Sequence, residues 1–552
     1  MRLYPVIFVM LFTFRLLSAD VPKPVIINAV VDQYRPFPFD SQRLIGLLAT
    51  RIRANREGFL ESTAAPVSPE AISEFLDIAS NAYDYGRDPG LKILLDKTAG
   101  AIFSNTHALP APELLPGLLS YYRITGAPLA LSLSRRIADD LISRKQEADA
   151  AGIIESFIVL FRYTGDSGYI EAAKGTSNRW LSDHLRDTLT PDPVSLAPKL
   201  RLFAALIDMY RTTGDESYLQ PAVSFWRNLD EKYIDLTGTV RFSTADKAPA
   251  SACITVAWMQ LTLELLRITG QPLYASALER TIYNQLFAGQ DPKTGQVCPA
   301  VLLEGTKNWS GDREGCAWEQ ARGATMIPAV AWGRYGKGIS INLYSGGRAT
   351  VRLRRRGTIQ LYSEASFPES GQILLHVEPD HNIQFPLRLR VPEWTSSFVA
   401  EFAGSRLMGK PGQYLTITRQ WTRGDTVKIQ IDLTGQIIAG AGEHASEIAL
   451  KRGPQLLALG TTLNPGLKDL SRATVLVTGA VPSLTPKERI LPANWVSDQA
   501  YAVEGEYDGK PQQFTLIPFA DALHYRVWLR RSERSPTASL QSALSLSSAR
   551  NQ

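Results

Sequence analysis

Cys253, Cys298 and Cys316 are the chain's three cysteines, and Cys316 lies in the stretch best furnished for chemistry. Within and just before KNWSGDREGCAWEQARG fall Glu304, Trp309, Asp312, Glu314, Trp318 and Glu319. Two carboxylates facing each other across a sugar can cleave a glycosidic bond, with retention at about 5 to 5.5 Å separation and inversion at about 6.5 to 9.5 Å. Trp309 and Trp318 would give flat faces for sugar rings to stack on; the bland equivalent is a pair of core aromatics under a long loop. Free cysteines are commonly inert core residues, and a Cys298–Cys316 disulfide competes with any catalytic or ligand role. Glu113 and Glu155 stand near helix starts, where they either point into a central opening or act as helix N-terminal charges. Tyr283-Asn284, in ERTIYNQL, fits packing at least as well as ligand contact.

The elements that must position these residues are announced by a repeat. YYRITGAPLAL at Tyr121, LFRYTGDSGYI at Leu160, MYRTTGDESYL at Met209 and LLRITGQPLYA at Leu265 share a Thr-Gly, with a weaker copy, AYDYGRDPGLK, at Ala82. The glycines Gly86, Gly126, Gly165, Gly214 and Gly270 are about 40 to 55 residues apart, the length of a helix, a turn and a second helix. Apolar residues at helical spacing precede each glycine, as in Leu202, Leu206, Met209 and Tyr210, and Asp166 and Asp215 follow as helix caps. Helical hairpins cannot bury their faces alone and must stack as a solenoid or a ring. The long, uneven period, against about 34 residues for tetratricopeptide solenoids, favours a closed toroid of about six hairpins, an (α/α)6 barrel over 20–338.

Past Gly338 the period falls to two: ISINLY, ATVRLRRRGTIQLY, QILLHVE and FPLRLRVPEW alternate between Gly, Pro and Ser turns. This predicts an antiparallel β-sandwich over 339–435 and a second over 436–531, with a disordered Ser- and Arg-rich tail at 532–552. The fold class is therefore multidomain α + β, as expected for 552 residues, more than one core usually organises. At 44% apolar, 20% charged and a net charge of +5, the chain is neither disordered nor fibrous nor a multi-span membrane protein. The basic run Arg352 to Arg356 alternates like a strand edge, so nucleic acid is not an expected partner. Arg2, the apolar run Tyr4 to Phe14 and Ser18-Ala19 predict a signal peptide over 1–19, hence a periplasmic or extracellular address; the run is shorter than the roughly 20 residues of a stable span. Uncleaved retention as an anchor is the alternative.

PLYASALERTIYNQLFAGQD, GISINLY, FPLRLRVPEW, QYLTITRQWTRGDTVKIQIDL and LKRGPQLLAL, following the hairpins, resemble glycoside hydrolase family 127 over roughly Phe37 to Leu529. The resemblance implies a catalytic (α/α)6 barrel with appended β-sandwiches and a β-L-arabinofuranosidase-like activity. It also implies a zinc-held cysteine nucleophile, ligated from a Glu-x-Cys pair and a neighbouring cysteine, with a glutamate as acid/base. In this chain Cys253 keeps the cysteine of ASACITVAW but Ser251 replaces the glutamate; Cys316 in REGCAWEQARG keeps one of two adjacent cysteines, with Gly315 or Ala317 in the other's place. GTVRFSTADKAPA, where the acid/base glutamate is expected, holds only Asp246, and sugar-contacting histidines are replaced by Glu113 and Ser195.

The expectation is a glycoside hydrolase-like protein acting on non-reducing-end sugars of an oligo- or polysaccharide, with the metal-thiolate centre degraded. Cys316 and Glu319 are the catalytic candidates; Trp309, Trp318 and Glu113 the sugar-binding ones. Cys253 and Cys316 are the zinc-ligand candidates, to which Glu319, Glu314 and Cys298 could add. A noncatalytic exported glycan-binding protein is the competing reading. A uronate lyase or epimerase would need pocket His or Tyr, and the chain has six histidines in all.

Overall fold

The structure is a computed structural model and describes residues 21–62, 66–104, 111–144, 150–184, 195–241, 250–309, 315–353, 357–477, 482–487 and 499–532. The expected signal peptide and tail, and Asp246, Asp312 and Glu314, lie outside the described residues.

Twelve α-helices occur among the described residues, in chain order α1 (Leu47–Ala54), α2 (Pro69–Gly86), α3 (Pro89–Phe103), α4 (Leu115–Thr125), α5 (Pro128–Arg144) and α6 (Ala150–Thr164), then α7 (Ser167–His184), α8 (Leu196–Thr213), α9 (Leu219–Lys232), α10 (Ala252–Thr269), α11 (Pro272–Thr281) and α12 (Cys316–Ala331). The Thr-Gly turns between α4/α5, α6/α7, α8/α9 and α10/α11 have one construction. Thr125, Thr164, Thr213 and Thr269 each donate from Oγ1 to the carbonyl four residues back, at 2.7 to 2.8 Å. Each then accepts from the backbone N–H two residues on, at 3.2 Å. The glycine between takes φ of 62° to 79°, a left-handed position that costs a side-chain-bearing residue about 1 kcal/mol or more. In the weaker copy the left-handed residue is Arg87 (φ 53°), one past Gly86, and Asp88 caps α3 through Gly90 N and Leu91 N. Asp166 and Asp215 accept from Gly168 N and Ser217 N, the capping roles their positions predict.

The even-numbered helices form a closed cycle of contacts: α2 packs on α4, α4 on α6, α6 on α8, α8 on α10, α10 on α12, and α12 returns to α2. Gly117 sets the α2–α4 approach, since a Cβ there would meet the Ser73 carbonyl oxygen at 2.6 Å; its N–H donates to Ser73 Oγ at 3.1 Å. Five of the six inner helices turn back into an outer partner, whereas α12 is backed by α1, so the sixth pair joins the two ends of the helical region. α10 is long and apolar enough to cross a membrane, but 67% of it is buried, as befits a member of this inner cycle.

The β part begins at Trp332, several residues before the expected 338. A five-stranded sheet (34–36, 332–335, 338–341, 383–390, 414–421) and a seven-stranded sheet (405–408, 398–402, 425–431, 372–379, 357–365, 346–353, 42–45) form the first unit among the described residues. Each takes one strand from the N-terminal segment, Tyr34–Pro36 and Gln42–Ile45, which sequence reading gives to the helical region. The second unit is one sheet rather than two. Strands 447–452, 529–532, 473–476, 501–507, 510–518 and 455–460 pair in turn, and the last pairs again with the first. The pairing of 473–476 with 529–532 is parallel, so the expected antiparallel sandwich is corrected to a closed, mixed sheet. Closure removes exposed edges, which a six-strand sheet would otherwise have to protect.

Candidate active site

Between the inner helices lies a cavity of about 640 Å³, lined largely from their N-terminal halves. At the C-terminal ends of α6, α8 and α10, outside the cavity lining, the arginine three residues before the turn glycine is held by acids. Arg162 donates to Asp208 at 2.8 and 2.9 Å; Arg211, 2% exposed, binds Asp208 and Asp32 at 2.5 and 2.8 Å and also Glu264; Arg267 binds Glu264 and Asp32 at 2.8 and 2.9 Å. Asp32 comes from the N-terminal segment, which runs across the turns, Val25 and Ile26 donating to Arg162 O and Val30 to Arg211 O. Burial alone would raise the Asp208 carboxyl, but Arg162 and Arg211 overcome it and hold Asp208 well below the carboxylate range.

Six carboxylates line the cavity, Glu70, Glu74, Asp77, Glu113, Glu155 and Glu319, together with Arg123, Arg201 and Arg322. Arg322 on α12 is the hub: its guanidinium pairs with Glu74 and Asp77 of α2, and its Nε with Glu319 Oε2 at 3.2 Å. Arg201 of α8 holds the other Glu319 oxygen at 3.3 Å, and Ser120 donates to Asp77 Oδ1 at 2.5 Å. Burial raises the Glu74 carboxyl, partly offset by Arg322.

Glu155, like Glu70 and Glu113, makes no side-chain hydrogen bond or ion pair among the described residues, and its side chain is exposed toward the cavity. Removal from bulk solvent, then repulsion by Asp208 and Glu264, push its pKa up to about 8, with Arg322 opposing and Asp77 adding.

Of the residues singled out from sequence, Glu113, Glu155 and Glu319 line the cavity. Trp318 does not: it is 4% exposed and packed edge-on against Phe59 and Phe75, at 5.3 and 6.5 Å. Trp309 sits against the second β unit, 5.7 Å from Lys307 Nζ, which is also caged by Phe519 and Tyr525. Glu304 pairs with Arg526 at 2.6 Å in that same sheet, and Asn284 ties the helices to it through Pro454 O and Leu456 N.

Cys316 is not free. It is joined to Cys253 in a disulfide that links the N-termini of α12 and α10, and the expected partner Cys298 is a buried thiol donating to Ala300 O at 3.2 Å. This corrects Cys316 as nucleophile and Cys253 and Cys316 as zinc ligands: a sulfur bonded to sulfur has no thiolate to attack with or to give a metal. Ser251 Oγ lies 3.5 Å from Cys316 Sγ, a hydroxyl in the place where the family resemblance expects a carboxylate ligand. No group of three or more His, Cys, Asp or Glu side chains among the described residues is placed to hold a metal ion. The donor set as it stands does not fit zinc.

The residues sequence reading passed over are Arg322, Asp77 and the arginines of the hairpin turns. For the last a signal was present: Arg123, Arg162, Arg211 and Arg267 each stand three residues before a turn glycine.

Comparison with known proteins agrees with this architecture. Residues 105–330 match the family described as beta-L-arabinofuranosidase, GH127 catalytic domain, and residues 338–433 its GH127 middle domain. A non-reducing end beta-L-arabinofuranosidase of Bifidobacterium longum subsp. longum is 21% identical over 530 residues, spanning 74% of this chain and 78% of that protein. A solved GH127 beta-arabinofuranosidase superposes with a TM-score of 0.76 at 18% identity, covering 91% of this chain and 98% of its own. A GH127 beta-L-arabinofuranosidase from Geobacillus stearothermophilus T6 gives 0.68 at 17% identity, covering 87% and 94%. The two family matches abut along the chain, one over the helices and the next over the first β unit, in the order the structure shows; the chain belongs to glycoside hydrolase family 127.

Proposed function

We propose that this protein is an exported hydrolase that removes single sugars from the non-reducing ends of glycans, β-L-arabinofuranosides being the first candidates, in the cavity of an (α/α)6 toroid. The observation that carries this is the cavity of about 640 Å³ with carboxylates and arginines on the inner helices, a size typical of small-ligand sites. The cycle of inner-helix contacts supports the toroid. A Cys253–Cys316 disulfide supports an oxidising compartment, as the N-terminal sequence does. Glu319 is the catalytic carboxylate retained from the sequence reading, now paired with Arg201 and Arg322. Glu113 stands at the cavity wall as a sugar-binding group.

The noncatalytic glycan-binding reading keeps one specific observation in its favour, the disulfide that takes Cys316 out of use. Hydrolysis of a panel of aryl glycosides, read beside calorimetric binding of the free sugars, separates the two. Turnover of pentofuranosides supports the hydrolase; binding without turnover supports the alternative and sinks the hydrolase.

A further inference from the structure

The solvent face of the seven-stranded sheet carries a second concave site, a groove of about 500 Å³ that shares no lining residue with the helical cavity. We propose that this groove binds a carboxylate-bearing polysaccharide, holding a uronate carboxylate at Arg43 and Arg348 and a sugar ring against Tyr362. The proposal goes beyond the hydrolase reading and does not depend on it, since polymer binding is measured without turnover.

The register of the sheet builds the site. Arg43 on strand 42–45 stands opposite Arg348 on 346–353, Arg348 opposite Tyr362 on 357–365, and Tyr362 opposite His376 on 372–379. Paired residues share a face, so these four side chains stand abreast on strands about 4.8 Å apart. The alternation agrees: Arg348, Gln360 and Tyr362 are exposed, whereas their neighbours Ala349, Leu361 and Ser363 are buried. Tyr362 is 46% exposed, the one aromatic among the large apolar side chains left exposed by the described residues. The His376 ring lies 5.5 Å from it and is itself held by Glu364 at 2.6 Å. An exposed ring fixed in this way offers a flat face to the apolar side of a sugar.

Charge decides which sugar. Like charges directly opposite one another repel, and the sheet does not neutralise this pair. Arg43 donates to the carbonyls of Phe39, Asp40 and Gln42 at 2.7 to 3.4 Å and lies 5.3 Å from the centre of the Tyr85 ring, but makes no ion pair among the described residues. Arg348 has neither a side-chain hydrogen bond nor an ion pair among them. The acids lining the groove are engaged from outside it, Asp40 by Arg87 at 3.3 Å, and Glu378 by Arg423 at 3.8 Å and the Gly424 N–H at 3.1 Å. An entering anion therefore meets two guanidinium groups that no acid of the groove has taken, and a carboxylate has the two oxygens that match their forked donors. Gln360, also without a hydrogen bond among the described residues, adds an amide that can both donate to and accept from sugar hydroxyls.

The test is binding of polygalacturonate to the full-length protein, by calorimetry at low salt, beside a neutral arabinan and a single-stranded DNA. Polygalacturonate is expected to bind at least about tenfold more tightly than either, as a charge-assisted contact allows. The advantage should shrink in about 1 M salt, where charges are screened beyond about 3 Å. Arg348→Gln and Tyr362→Ala should each weaken binding by about tenfold or more, through loss of a charged donor and of a stacking face. Both side chains are exposed, so the variants should melt at or near the wild-type temperature, and Arg348→Gln, which relieves the repulsion, at or above it. Arg472→Gln, an exposed arginine of the second β unit, should bind as wild type does. Unchanged binding by the two groove variants, equal binding of arabinan or of DNA, or no binding of polygalacturonate overturns the proposal. None of these results bears on turnover in the helical cavity.

Discussion

Arg322 and Asp77 meet across the seam where the last inner helix, α12, returns to the first, α2. Their contact therefore does two things at once, closing the helical cycle and fixing a carboxylate in the cavity wall. Glu74 and Glu319 share the same guanidinium. Arg322→Ala would leave Glu74 and Asp77 without their cation and Glu319 with Arg201 alone. Breaking a buried pair in this way costs about 3 to 5 kcal/mol, and urea unfolding of the variant is expected to show a loss at or near that range. Arg322→Lys, with one charge but no fork, should recover only part of it.

The ion pairs at the C-terminal ends of α6 and α8 give a pH signature. Asp208 is depressed in the folded protein, so it adds stability above the unfolded carboxylate pKa, and that stability is lost as pH falls through the folded value. Asp208→Asn should therefore be much less stable than wild type at pH 7, with the gap closing below about pH 4. Thermal melts of both proteins from pH 2 to 8 measure it; a gap independent of pH would refute the assignment.

Glu155 has the opposite sign. Its folded pKa of about 8 lies above the unfolded value, so the stability it contributes is present in full below the unfolded pKa of about 4.3 and is lost as pH rises through 8. Glu155→Gln is expected to melt close to wild type at pH 4 and above it at pH 9.

Lys307 tests why Trp309 is where it is. Burial lowers its pKa to about 7, with Asp521 opposing, and its ammonium donates to Phe519 O and Ala520 O inside the aromatic cage. Because the unfolded lysine holds its proton to higher pH, stability should climb between pH 7 and 10. Lys307→Met should flatten that climb in thermal melts over the same interval.

Much of this was legible in sequence, for reasons that can be named. The Thr-Gly turns are local: a threonine bonding its own helix and a glycine at positive φ need no distant partner, so the hairpins announce themselves. Glu113 and Glu155 could be narrowed only to the cavity mouth or a helix N-terminal charge, because a helix start fixes the end of the hairpin but not the direction of the side chain; both line the cavity. What could not be read was long-range. Nothing near Tyr34 or Gln42 says that their strands pair with residues some 300 positions on, nor that Cys253, 63 residues away, rather than Cys298 meets Cys316. Trp318 beside Glu319 reads as either a sugar platform or a core aromatic, and successive helical residues point about 100° apart; Glu319 faces the cavity and Trp318 faces Phe59. Ring closure through Arg322 depends on residues some 245 positions apart and has no local sign.

The central claim, that carboxylates rather than a metal-bound thiolate do the work, is tested most directly on the oxidised protein. Its accessible thiols would be titrated after denaturation, its zinc measured, and its pentofuranosidase rate followed with chelator and then with reductant plus zinc. One titratable thiol, Cys298, and a rate unchanged by chelator are expected. Reduction should lower the melting temperature, since a cross-link closing a loop of 63 residues typically contributes about 2 to 4 kcal/mol. Three thiols, stoichiometric zinc and a rate that appears only with reductant and metal would contradict the account.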